Sequence, residues 1–305
     1  MSLLGWFKGA GPNGFGYNST AEQVTAGLDL KGKTFLVTGC NSGLGLETLR
    51  VLSLRGGHVI GTARTLEKAR AALASVSAQG TPLACELEDP QSVRNCAVAV
   101  RGLGRPLDAI LCNAGIMALP KLQQKHGLEL QFLTNHVGHF ILVTNLLEQL
   151  APAGRVVVVS SGAHTGAPSA GIEFDNLNGA RGYSAWRNYG QSKLANILFA
   201  KELARRFKGT GRTANALHPG VIPTNLARHM PGIVSAVFAA VSPLVLKTIP
   251  QGAATECYAV AHPAVASASG LYFADCNPAR PSRHAEDAAL AAQLWARTEE
   301  IVAAL

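Results

Sequence analysis

The chain has 305 residues, 48% of them hydrophobic and 15% charged, which excludes a disordered or fibrous protein and predicts a large buried core. The net charge is +8, yet with only 6% aromatic residues and no finger or homeodomain-like spacing the surplus predicts no nucleic acid partner. Six scattered cysteines with neither C-x-x-C nor metal-ligand spacing exclude a disulfide scaffold and a metal centre, and predict a reducing, cytoplasmic setting.

From the N-terminus, residues 1–30 read as an extension without a signal-type apolar run. Within it Thr20-Ala21-Glu22-Gln23 has the pattern of a capping box opening a short helix. Strands are predicted at Lys33–Thr38, His58–Ala63, Pro82–Leu87, Asp108–Cys112, Arg155–Ser160, Thr213–Leu217 and Leu271–Ala274. Between them helix periodicity runs through Gly45–Arg55, Leu66–Ser77, Gln91–Arg101, Leu128–Gln149, Tyr189–Phe207 and Gln251–Val260, and a last stripe covers Glu286–Leu305. Most strands are unbroken Val/Ile/Leu/Ala runs, the pattern of strands buried on both faces. Their alternation with helices predicts an α/β fold: a single-domain, Rossmann-type, doubly wound parallel sheet of about seven strands over residues 31–305.

Residues 225–250 break this rhythm and read as a substrate-covering flap. Its apolar stretch Pro231 to Leu246 spans 16 residues with Pro243 inside, short of the roughly 20 that a membrane-spanning helix needs. The basic residues Arg187, Lys193, Lys201, Arg205, Arg206, Lys208 and Arg212 face only Glu202 nearby in sequence. With the apolar flap they leave peripheral membrane contact open, without a transmembrane segment.

Chemistry concentrates in three places. Gly39, Gly43 and Gly45, with Asn41, Ser42 and Leu44 between them, follow the first strand and open the first helix, where glycines let backbone N–H groups approach a pyrophosphate. The second strand ends in Ala63-Arg64 with no acid to grip a ribose 2′-OH. A guanidinium there suits a 2′-phosphate, so NADP(H) is favoured over NAD. Tyr189 and Lys193 lie one helical turn apart on one face, so the ammonium predicts a lowered phenol pKa. Ser161 ends the fifth strand and supplies a hydroxyl, with Ser160 as its rival.

These motifs, with Asn113-Ala114-Gly115, Asn135 in Thr134-Asn135-His136-Val137-Gly138-His139-Phe140, and Pro219-Gly220-x-x-x-Thr224, occur in an order that resembles the short-chain dehydrogenase/reductase family. Ser192-Lys193-Leu194-Ala195-Asn196 and Leu294-Trp295 resemble its retinol-dehydrogenase-like branch. The resemblance implies a catalytic set of Asn135, Ser161, Tyr189 and Lys193. Tyr189 would be the general acid/base, Lys193 the holder of the nicotinamide ribose, Ser161 the donor to the substrate oxygen and Asn135 the holder of a water. It implies cofactor contacts from the glycine loop, Glu86, Leu87, Asn113, Ala114, Gly115, Pro219, Gly220 and Thr224, with Glu86 standing where relatives often carry Asp. The activity so implied is an NADPH-preferring interconversion of a lipophilic aldehyde or ketone and its alcohol, with a homo-oligomer as the expected assembly. The alternatives are a non-catalytic NADPH-binding regulator and a peripheral membrane-associated member of the same fold.

Overall fold

The computed structural model describes residues 9–222 and 246–305. Thr224 and the predicted flap, apart from its last residues Leu246 to Pro250, lie outside the described residues. The chain lays down β1 (Thr34–Thr38), α2 (Gly43–Leu54), β2 (His58–Ala63), α3 (Leu66–Ser75), β3 (Gly80–Ala84), α4 (Pro90–Gly102) and β4 (Leu107–Cys112), after a short α1 (Ala21–Val24). A two-stranded hairpin follows, β5 (Gln124–Lys125) with β6 (Leu128–Glu129), then α5 (Leu130–Phe132) and α6 (Gly138–Thr144). Next come β7 (Leu150–Val159), α7 (Ala185–Arg206), β8 (Thr213–His218), α8 (Ile249–Ala261), β9 (Tyr272–Ala274), β10 (Asn277–Pro278) and α9 (Ala288–Ala303).

The sheet has eight strands in the order β10-β9-β8-β7-β4-β1-β2-β3. All pairings are parallel except β9 with β10. The seven predicted strands are therefore joined by one antiparallel edge pair of two residues, too short to show any periodicity. The chain steps outward from β1 to β2 and β3, then returns to place β4 on the other side of β1. That reversal opens a crevice at the carboxyl ends of β1 and β4, the place where doubly wound sheets hold ligands.

Both faces of the sheet are covered. One core joins Leu36, Ile110, Val156 and Val158 to Leu194, Ile197, Leu198 and Phe199 of α7 and to Leu294 and Trp295 of α9. The other joins Val37, Leu111 and Val157 to Leu49 and Leu52 of α2 and to α8. Residues 9–30 are built into this second side: the capping box of Thr20 and Gln23 is formed, and Asn13 Nδ2 donates to the Tyr258 hydroxyl at 3.0 Å and to the Cys276 carbonyl at 2.7 Å.

Several elements depart from the sequence reading: β7 starts at Leu150 rather than Arg155, and α7 at Ala185 rather than Tyr189. β3 begins at Gly80, not Pro82, because it adds as an edge strand to β2, where a proline is tolerated and pairing rather than propensity sets the ends. The predicted helix Leu128–Gln149 is broken into hairpin, α5, a π-helical turn Leu133–Val137 and α6. The basic run also meets more acid than its sequence neighbours suggest: Arg187 pairs with Glu173, Lys201 with Glu286, and Arg205 and Arg206 with Glu202. Among the described residues no helix is long and apolar enough to cross a membrane.

Trp295 is the keystone of the first core, edge-on to Phe140 at 4.8 Å, stacked with Phe199 at 5.7 Å and capped by the Arg206 guanidinium at 4.0 Å. Trp295→Ala should cost about 3–5 kcal/mol of unfolding free energy, read as a lower midpoint in denaturant, and a loss under about 1 kcal/mol would show that α9 is not structurally needed.

Candidate active site

The ends of β1, β4, β7 and β8 converge on the crevice. After β1 the chain turns through Gly39 (φ 68°) and Gly43 (φ 58°), both left-handed. A Cβ at Gly45 would sit 2.4 Å from the Gly39 carbonyl and from Asn113 Nδ2, so the loop needs glycine to close. At Gly43 a Cβ would meet nothing within 4 Å. Ser42, at the N-cap of α2, makes no side-chain cap bond, and Asn41 and Ser42 are exposed while Leu44 is half-buried. Unused N–H groups at the start of a twelve-residue helix, beside open space, suit a dinucleotide pyrophosphate.

The β4 end is stitched to this loop. The Thr38 hydroxyl accepts the N–H groups of Asn113 and Ala114, both at 3.0 Å, and Asn113 Nδ2 donates to the Thr38 carbonyl at 2.7 Å. The Asn113 amide thus shapes the cradle. Gly115 lets the catalytic groups come close, for a Cβ there would lie 3.0 Å from Asn135 Oδ1 and 3.4 Å from Lys193 Nζ.

Asn135 lies in the π-helical turn Leu133–Val137, a local widening often found where helices carry function. Its Oδ1 accepts from Ile116 N at 2.8 Å, and its Nδ2 donates to the Ile116 carbonyl and to Ser192 Oγ, each at 2.9 Å. The side chain clamps the loop after β4 onto α7.

α7 carries both reacting groups, and both are buried. Tyr189 is 8% exposed, and Lys193 donates to the Val159 carbonyl at 3.0 Å with its Nζ 5.8 Å from the Tyr189 ring centroid. Ser160 turns away and donates to the Lys193 carbonyl at 2.7 Å. Ser161 Oγ stands at the phenol and accepts from Ala163 N at 3.2 Å. The geometry separates the two serines.

Electrostatics depart from the sequence reading. Burial pushes the Tyr189 phenol up to about 12, and the Ser161 hydroxyl, rather than the Lys193 ammonium, pulls against that rise. Burial draws Lys193 down to about 8, against the attraction of Glu256 and Cys112. A dry site disfavours the charged form of both groups, and at this separation the ammonium does not offset that cost.

The remaining predicted residues line the crevice unevenly. Arg64 is exposed at the end of β2 and attracts Glu86, whose carboxyl is nonetheless raised by burial and by Glu88. Leu87 is buried, its carbonyl against Gly138. Pro219 is buried after β8, and Gly220 (φ 99°) packs on the stem of Lys247. The sequence reading missed Lys247, a buried cation paired with Asp275 at 2.6 Å over the Tyr17 ring. It also missed Glu256, although a lone acid in the Ala-rich run of α8 was a visible signal. Glu256 Oε2 accepts from the Thr48 hydroxyl at 2.7 Å, while its buried Oε1 has no hydrogen-bond partner among the described residues.

Burial raises Glu256 to about 7. Its folded-state pKa thus lies above the ordinary 4.5, so its contribution is fully present below pH 4.5 and is lost as pH rises through about 7. Glu256→Gln should therefore stabilise the protein at pH 8 more than at pH 5, by an amount on the order of 3 kcal/mol. Melting curves across that range test this, and equal shifts at both pH values would contradict it.

The geometry has counterparts in known proteins. Residues 33–231 match the family model described as short chain dehydrogenase. The chain is 41% identical over 320 residues to short-chain dehydrogenase TIC 32 A, chloroplastic, of Brassica napus, covering 100% of both. It is 38% identical to human retinol dehydrogenase 14, covering 90% of this chain and 88% of that one. A crystal structure of an uncharacterised protein from Mycobacterium paratuberculosis superposes with a TM-score of 0.76 at 35% identity, over 92% of this chain and 97% of that one. The chain belongs to the short-chain dehydrogenase family, in its retinol-dehydrogenase-like branch, and is an NAD(P)-dependent oxidoreductase acting on CH–OH groups.

Proposed function

We propose that the protein is an NADPH-preferring carbonyl reductase or alcohol dehydrogenase for lipophilic aldehydes, ketones and their alcohols, with Tyr189 as the general acid/base. The observation that carries this reading is the Ser161 hydroxyl at the buried Tyr189 phenol, with the Lys193 ammonium behind the ring. Bound nicotinamide cofactor supplies the hydride and, when oxidised, a positive ring. Ser161 holds the carbonyl oxygen, and Tyr189 delivers its proton to that oxygen as charge develops there. Lys193 binds the ribose hydroxyls. The Asn135 amide is spent on Ile116 and Ser192, so a water would be held by its backbone carbonyl, whose other lone pair faces His139 Nδ1 at 2.9 Å.

Two features support the finer parts. Ala63-Arg64 offers a guanidinium and no carboxylate at the end of β2, which favours a 2′-phosphate. Trp186, 51% exposed, stands edge-on to the Tyr189 ring at 6.2 Å, and Val221 is exposed beyond Gly220. An exposed indole beside the phenol favours an apolar substrate. The ion pairs of the basic run argue against the peripheral-membrane alternative, and a non-catalytic regulator gives no account of a buried phenol beside the Ser161 hydroxyl. All six cysteines are free and buried, which fits the cytoplasm as the proposed compartment. A homo-oligomer remains part of the proposal.

Tyr189→Phe should cut turnover at least 100-fold while leaving NADPH affinity within about threefold, because the ring remains and the proton does not. Near wild-type turnover would move the chemistry elsewhere. The kcat/KM for reduction should fall as pH rises through about 8, since the Lys193 ammonium is then lost while the phenol stays protonated. A profile flat up to pH 10 would remove Lys193 from this role.

Arg64→Ala should raise KM for NADPH by about 10- to 150-fold and leave NADH use unchanged. The check is kcat/KM with each cofactor, and an equal loss with both would reduce Arg64 to a loop residue.

A further inference from the structure

We propose that His139 is a positioning residue of the reaction site: one neutral imidazole fixes the Asn135 carbonyl on the catalytic side and the Thr38 hydroxyl on the cofactor side. The inference rests on the reading of the site given above, and it starts from a proton count. His139 is fully buried, its Nδ1 lies 2.9 Å from the Asn135 carbonyl and its Nε2 lies 2.9 Å from Thr38 Oγ1. A carbonyl only accepts, so Nδ1 carries the hydrogen. In a neutral ring Nε2 is then bare and accepts, so the single Thr38 proton points to it. The Thr38 oxygen is thereby free to accept both N–H groups of Asn113 and Ala114. Its other contact, to the Leu111 carbonyl at 3.4 Å, is long for a hydroxyl donor. Every donor and acceptor in the set has one arrangement, and the imidazole sets its direction.

The consequence is a link between two functions. On one side Thr38 holds the loop after β4 and leads into Gly39 of the cofactor loop. On the other, the Asn135 carbonyl belongs to the residue whose amide clamps that same loop to Ser192, next to Lys193. The two ring nitrogens are addressed separately by amide replacements, because an asparagine amide reaches the Nδ1 position and a glutamine amide the Nε2 position.

His139→Asn keeps a donor for the Asn135 carbonyl and removes the acceptor for Thr38. It should weaken NADPH binding about tenfold, the worth of one buried hydrogen bond, with kcat at saturating cofactor within about threefold of wild type. His139→Gln should do the reverse, lowering kcat about tenfold with NADPH affinity nearly unchanged. NADPH affinity is read from nicotinamide fluorescence on mixing, independently of turnover, and melting temperatures are taken for each variant. A split between affinity and kcat in these directions supports the positioning role. Parallel losses in both, tracking the drop in melting temperature, would make His139 a packing residue only and overturn the inference. Tyr189→Phe run alongside separates the two claims. If that variant keeps its turnover, the reaction assignment fails, while the affinity arm still decides whether His139 holds the cofactor loop.

Discussion

The rest of the site depends on the stitch between β1 and β4. These strands are neighbours because the order in which strands are added reverses there, and that reversal leaves two loops at the carboxyl end of the sheet with nothing in the ladder to hold them. Thr38 supplies the hold: one oxygen binds two backbone N–H groups of the β4 loop, and its backbone carbonyl binds the Asn113 amide. With that loop fixed, Ile116 is where Asn135 can clamp it, and Asn135 in turn touches Ser192 on the helix that carries Tyr189 and Lys193. The π-helical turn is what brings Asn135 to this place. A regular helix through Leu128–Gln149 would turn its side chain to another face.

How much of this could be read from the sequence follows from the range of the interactions involved. β2 was legible to the residue because its apolar run is bounded by Gly57 and Arg64, and the Tyr189–Lys193 pair because helix spacing alone puts the two on one face. β3 was displaced because Gly80-Thr81-Pro82 is a weak strand former that only pairing with β2 makes extended. The broken helix was missed because apolar periodicity continues across a π turn without a sign. The partners of Thr38, His139 and Glu256 were not legible, whatever their own positions signalled: Thr38 meets its imidazole across 101 residues, and Thr48 meets Glu256 across 208. The tyrosine's direction was misread for a related reason. Sequence shows the neighbouring charge but not the loss of water, and in this site the loss of water is the larger effect.

Burial of so many titratable groups also sets the conditions under which the fold holds. His136 and His139 are drawn down to about 3 and about 4 by burial, so their contribution is present above 6.5 and is lost as pH falls toward those values. Glu256 works in the opposite sense and loses its contribution as pH rises through about 7. The same lack of water that keeps the Tyr189 phenol loaded with its proton therefore sets two opposed losses, one as pH rises from 4.5 to about 7 and one as it falls below 6.5. A site that donates a proton from a dry place needs uncharged neighbours, and uncharged histidines and a protonated carboxyl are stable together only in a limited pH range. That range includes the region where Lys193 still carries its charge, so the stability of the core and the chemistry proposed for α7 favour the same side of pH 8.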